Sequence, residues 1–132
     1  MQEFSVRTHS QTEMIDITSE VRAAISKEGV ADGVCAVYCP HTTAAITIQE
    51  NADPDVTVDI VKELNKIVPF DDGYRHSEGN SAAHIKSSVF GASETLIIEG
   101  GRPALGTWQG IYFCEFDGPR NRHVIVKSCS SS

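Results

Sequence analysis

Imidazole titrates near neutral pH and can bind a divalent ion, so the histidines are where chemistry is first sought. Three of the five lie in loop or helix-face settings. His41 follows an apolar run and precedes Thr42 and Thr43. His76 lies in a polar loop, where functional groups gather. His84 falls on a helical face with Asn80, Ser87 and Ser88, because positions three and four apart are neighbours on a helix. Together the three could hold a divalent ion (Zn2+ or Mg2+) and leave one position open, the pattern of catalytic zinc. The spacing from His76 to His84 matches no short zinc motif, and the same residues suit proton transfer equally. Both uses stay open from the residues alone.

Other groups could join them. Glu50, at a strand-to-helix junction with Asn51, is a candidate acid, base or ligand, or else a turn-forming hydrogen-bond partner. Glu115 and Asp117 alternate onto the face that carries Phe113, which puts an acidic pair at a sheet edge or in a site. Arg120 and Arg122 could neutralise that pair or hold an anion. Trp108, between Thr107 and Gln109, either packs in a core or offers a flat surface for a heteroaromatic ring.

The elements that must position these groups follow from periodicity. Residues 3–9 and 14–17 alternate as short strands. Thr18 can cap a helix whose apolar face is Val21, Ala24 and Ile25 and which Gly29 stops. Residues 33–39 are apolar on both faces and read as a central strand with Cys35 and Cys39 about 13 Å apart at strand rise, too far for a disulfide. Residues 43–49 alternate strictly. Asp53-Pro54-Asp55 then starts a helix that buries Val56, Ile60, Leu64 and Ile67 and ends before Pro69. Residues 70–79 form a loop, and residues 80–90 a short helix with Ala83 and Ile85 inward. Within residues 93–111, two apolar runs flank Gly100, Gly101, Pro103 and Gly106, which reads as a hairpin with an unusual turn. A turn at residues 118–121 leads into a last strand at 122–127. The pattern predicts one α+β domain, residues 1–132, with a mostly antiparallel sheet and two or three helices.

Composition narrows the function. A formal net charge of −7 disfavours binding along a nucleic-acid backbone, which relies on Lys and Arg. Of the eighteen acids, eleven precede Phe70, whereas six of the eleven Lys and Arg follow it, so a local basic pocket in the second half is compatible with the total. No run nears the roughly 20 apolar residues of a membrane span, and residues 1–12 lack a signal-peptide core. The expected setting is cytoplasmic, with four reduced structural thiols and no membrane partner.

Taken together, His41-Thr42-Thr43-Ala44-Ala45, Glu50-Asn51-Ala52-Asp53-Pro54-Asp55, Gly79-Asn80-Ser81-Ala82-Ala83-His84, Gly106-Thr107-Trp108-Gln109 and Glu115-Phe116-Asp117-Gly118-Pro119-Arg120 resemble the YjbQ family. The likeness covers nearly the whole chain. Gln49 departs from it, standing where asparagine is common. The resemblance implies a YjbQ-like α+β fold containing a β-sandwich and a homotrimer with sites near subunit interfaces. It also implies a weak, secondary thiamine-phosphate synthase activity, with the alternative of a non-catalytic trimer that holds a phosphorylated or heteroaromatic metabolite. On that footing the catalytic candidates are His84, His76 and Glu50, and the metal candidates are His41, His76 and His84. Substrate would be held by Thr42, Thr43, Asn51, Asn80, Thr107, Trp108, Gln109 and Arg120.

Overall fold

Alternation of apolar and polar side chains builds most of the strands. In the computed structural model, which describes residues 1–131, five strands form one antiparallel sheet: β1 (Gln2–Arg7), β3 (Gly33–Tyr38), β5 (Ser93–Glu99), β6 (Arg102–Pro103) and β8 (Asn121–Ser130). Their order is β1-β8-β3-β5-β6. A second antiparallel sheet has the order β2-β7-β4, from β2 (Glu13–Asp16), β7 (Gln109–Glu115) and β4 (Ala44–Glu50).

The two sheets face each other as a sandwich. Val37, Leu96, Val124 and Val126 of the first pack with Ala44, Ile46, Ile111 and Phe113 of the second. Helix α1 (Thr18–Glu28) adds Val21, Ala24 and Ile25 to this core. The other face of the second sheet, carrying Ala45, Tyr112 and Cys114, lies under α3 (Ser81–Phe90), with Leu64 of α2 (Pro54–Ile67) at its margin. The strand buried on both faces is therefore β7. β3 is central in its sheet, but Val34 and Tyr38 on its outer face are exposed because no helix among the described residues covers them.

Helix starts and stops follow the capping rules with one shift. Asp53 accepts a hydrogen bond from the Asp55 N–H, and Pro54 takes the first helical position of α2. At α1 the cap moves back two residues: Asp16 Oδ1 accepts from the Thr18 N–H at 2.9 Å and from its hydroxyl at 2.6 Å. The Thr18 oxygen accepts the Ile111 N–H of β7, tying helix to strand.

Three further expectations fail. The two apolar runs of residues 93–111 do not pair with each other: β5 lies in one sheet and β7 in the other. The Gly100–Gly101 turn makes a small hairpin from β5 to β6, and the chain then crosses between layers. The apolar face of α2 is only half covered, with Ile67 69% exposed, since this helix packs at the edge of the second layer. Finally, Ile85 of α3 points outward and Lys86 inward. Lys86 is 1% exposed; its ammonium donates to Asn65 of α2, and burial holds its pKa below the ordinary lysine value.

The two sheets are also joined by charge. Glu115 of β7 is fully buried and accepts hydrogen bonds from Arg122 of β8, the Thr8 hydroxyl and the Asp117 N–H. Burial would raise its carboxyl pKa, but these donors outweigh burial and hold it below the usual range. Glu115, which alternation places on the same face as the core residue Phe113, is thus part of a structural ion pair. Beside it, the Gly118–Pro119 peptide is cis, and a Cβ on Gly118 would stand 2.3 Å from the Ser10 carbonyl oxygen. Only glycine fits there.

Candidate functional site

The β3–β4 loop, the start of α3, the loop before it and the β7–β8 turn meet around a cavity of about 480 Å³. His41, Thr42, His76, Asn80, His84 and Arg120 all line it. Residues that sequence spacing could only group by type are thereby brought to one place.

Most of these have a defined partner. The His123 N–H donates to His41 Nε2 at 2.9 Å, and the two rings stack at 6.3 Å between centroids. With Nε2 accepting, a neutral His41 carries its proton on Nδ1. Burial, then the Arg122 and His123 charges, push its pKa below 6.5, so it is neutral at pH 7. His76 and His84 meet edge to face at 5.5 Å. Their contact brings loop and helix together, and His76 Nε2 lies 3.9 Å from Glu78.

Asn80 occupies the N-cap of α3, yet its side chain does not cap the helix. Its amide donates to Asp117 Oδ2 at 2.8 Å instead. The same carboxylate oxygen accepts from Arg120 at 3.0 Å, and Arg120 Nε reaches the Asp117 carbonyl at 2.8 Å. Asn80 is 8% exposed and its Oδ1 has no hydrogen-bond partner among the described residues. A buried acceptor left unmet costs about 1–3 kcal/mol, so it favours a ligand that brings a donor. The first N–H groups of α3, left without a side-chain cap, favour an anion at the same end.

Thr43 and Arg122 line the cavity but are engaged with each other: the guanidinium donates to Thr43 Oγ1 at 2.9 Å and to Glu115. Ser87, expected on an open polar face, is buried and bonds the Ala44 carbonyl oxygen.

The donor set does not fit a divalent ion as arranged. His41 has its Nε2 lone pair on a backbone N–H, and among the described residues no three His, Cys, Asp or Glu side chains gather at metal-binding range.

The remaining predicted residues lie elsewhere. Glu50, Asn51, Thr107, Trp108 and Gln109 sit at the far end of β4, with Glu50 opposite Gln109 in the ladder. Seven strand steps separate Thr43 from Glu50, roughly 23 Å. There the Asn51 N–H donates to the Trp108 carbonyl, the Asn51 amide reaches Asp16 at 3.3 Å, and Gln109 Oε1 accepts from the Gly106 N–H. Asn51, Thr107 and Gln109 line a separate cleft of about 560 Å³, while Trp108 is 62% exposed.

The pairing of Arg120 and Arg122 with Asp117 and Glu115 is as expected, whereas Glu78 and the bond from Asn80 to Asp117 were missed in the sequence. Asp117 had a signal, an acid beside Arg120 in a turn. Glu78 had none beyond its polar loop.

The family model described as "UPF0047 protein YjbQ-like" matches residues 2–131. The chain belongs to the YjbQ (UPF0047) family. It is 54% identical to YugU of Bacillus subtilis, covering 92% of this chain and 93% of that one. A UPF0047 protein of Methanocaldococcus jannaschii is 52% identical over 94% and 90% of the two chains. A crystal structure of an uncharacterised YjbQ/UPF0047 protein from Clostridium acetobutylicum superposes with a TM-score of 0.95 at 56% identity, covering 98% of this chain and 100% of that one. A hypothetical protein from Aeropyrum pernix gives 0.93 at 35% identity, covering 98% of each chain. No helix among the described residues of this YjbQ-family chain is long and apolar enough to cross a membrane.

Proposed function

We propose that this YjbQ-family chain is a low-efficiency thiamine-phosphate synthase acting at the histidine cavity. It would join a hydroxymethylpyrimidine diphosphate to a thiazole phosphate and release diphosphate. The observation that carries the reading is Asn80: a buried acceptor with no partner among the described residues, at an uncapped helix start, in a cavity shared with His41, His76, His84 and Arg120. Asn80 Oδ1 would accept from an amino group on the pyrimidine, and Arg120 with the first N–H groups of α3 would hold the diphosphate. As the thiazole nitrogen bonds to the methylene carbon, the carbon–oxygen bond breaks and the diphosphate leaves with its electron pair. His84, paired with His76, would give that leaving group a proton.

Glu50 and Trp108 cannot reach this cavity within one chain. The reading therefore includes a homotrimer in which the far end of β4 in one subunit closes the histidine cavity of the next. Exposed Trp108, and Val58 and Ile67 along α2, support an apolar contact between copies. Trp108 would then cover the pyrimidine and Glu50 would assist proton transfer.

A second reading, non-catalytic retention of a phosphorylated or heteroaromatic metabolite, is favoured by one observation. Arg120, Arg122 and His41 already have partners, so the cavity has few groups free to act. Product formation from the two substrates, with and without a chelator, separates the readings. Turnover that His84→Ala abolishes supports the synthase. Saturable binding without turnover in any metal condition supports retention, and turnover lost only with chelator would restore the histidines as a metal centre.

A further inference from the structure

A cavity of about 690 Å³ lies away from the histidines, between the end of α1 and the Gly100–Gly101 turn. Arg22 and Arg102 line it, with Ser26 at the wall and Ile25, Val30 and Pro103 as its apolar part. Both arginines are exposed, and among the described residues neither has an ion pair or a side-chain hydrogen bond. Arg120 and Arg122, by contrast, are held by Asp117 and Glu115. In a chain of net charge −7, two unpaired guanidinium groups facing one cavity are unusual. The C-terminal end of α1 opposes an anion with only about half a negative charge, against two positive ones.

Guanidinium forks match phosphate oxygens, and a volume of this size lies within the roughly 300–1,000 Å³ of small-molecule sites. Arg22 also lines the adjoining cleft that holds Asn51, Thr107 and Gln109. The two spaces thus share Arg22 and Pro103, and the second adds the Asn51 and Gln109 amides and the Asp16 carboxylate.

We infer that this groove is a second small-molecule site, which takes a phosphate-bearing organic molecule with its phosphate between Arg22 and Arg102. The organic part lies on Val30 and Pro103 and extends toward Asn51 and Gln109. This site is independent of the histidine cavity, and its test does not depend on turnover.

The full chain would be titrated with inorganic phosphate and then with adenosine monophosphate. The readout is the NMR shifts of the Gly100 and Gly101 amides and of the Arg22 and Arg102 Nε–H groups. The expected result is saturable shifts at these positions, tighter for the nucleotide, with at least about tenfold weakening in Arg22→Gln and in Arg102→Gln. Both positions are exposed, so the variants should melt as the parent does, and His84→Ala should bind the nucleotide unchanged. Shifts absent at these positions, binding that survives the double arginine substitution, or equally tight saturation by acetate would each overturn the assignment.

Discussion

The two ends of β4 differ in how their polar groups are held. At Thr43 the chain enters a buried network in which Arg122, Glu115 and Thr8 satisfy one another across two sheets. His41 lies beside that network, its Nε2 accepting the N–H of His123, the residue after Arg122. At Glu50 the side-chain bonds are exposed, Asn51 to Asp16 and Gln109 to Gly106, and the tryptophan stands in solvent. One end is buried and preorganised within the chain; the other is held by exposed bonds and left open. Positioning of chemistry should therefore belong to the first end, and response to partners or ligands to the second.

The strongest way to break this contrast is Arg122→Ala. Leaving Glu115 buried without its partner should cost about 3–5 kcal/mol, visible as a large fall in melting temperature. A loss below about 1 kcal/mol would mean that the network does not hold the first end. Next, His84→Ala should lower synthase turnover by about 10²–10⁴-fold with melting unchanged, since His84 is only half-buried on its helix. Unchanged turnover would remove the histidine cavity from the reaction. At the other end, Trp108→Ala should leave melting within about 0.5 kcal/mol but raise substrate KM by roughly tenfold if a neighbouring subunit supplies it. An unaltered KM, or sedimentation as a monomer, would argue against the shared site.

The smallest effect is in pH. His41 has a folded pKa below 6.5, so the unfolded chain binds more protons as the medium acidifies. Its contribution is complete above 6.5 and declines as pH falls toward the folded value, because a protonated Nε2 cannot accept the His123 N–H. Glu115 has the same sign in a lower window: its contribution is present above the ordinary carboxylate range and is lost as pH falls through its depressed value. Thermal melts in His41→Gln should lose the upper part of this slope and keep the lower. An unchanged upper slope would assign it to another group.

Much of the frame could be read from the chain. Asp53-Pro54 and Gly29 mark helix ends by local chemistry, and alternation marks the strands; none of these needs a distant partner. Pairing does. The runs on either side of Gly100 look like a hairpin because sequence neighbours usually pair, yet β7 finds its partners in β2 and β4. For α3, a one-residue rotation puts Lys86 inward rather than Ile85, and the reason is Asn65, a residue on another helix. The candidate histidines were visible as types, and their convergence depends on the β3–β4 and β7–β8 turns meeting. The distance between Glu50 and His41 is implicit in the length of β4.

The ladder between the chain's first and last strands sets when this fold can appear during synthesis. Gln2 pairs with Val126 and Arg7 with Asn121, and β7 closes the second sheet on Met14 and Ile46. Four of the six strand pairings among the described residues therefore wait for β7 and β8, and contacts so distant in sequence form slowly. A nascent chain halted before residue 109 would hold the helices and β3 but lack the strand at the centre of one sheet. Its Ala44–Ile48 segment would be open to other chains until β7 emerged.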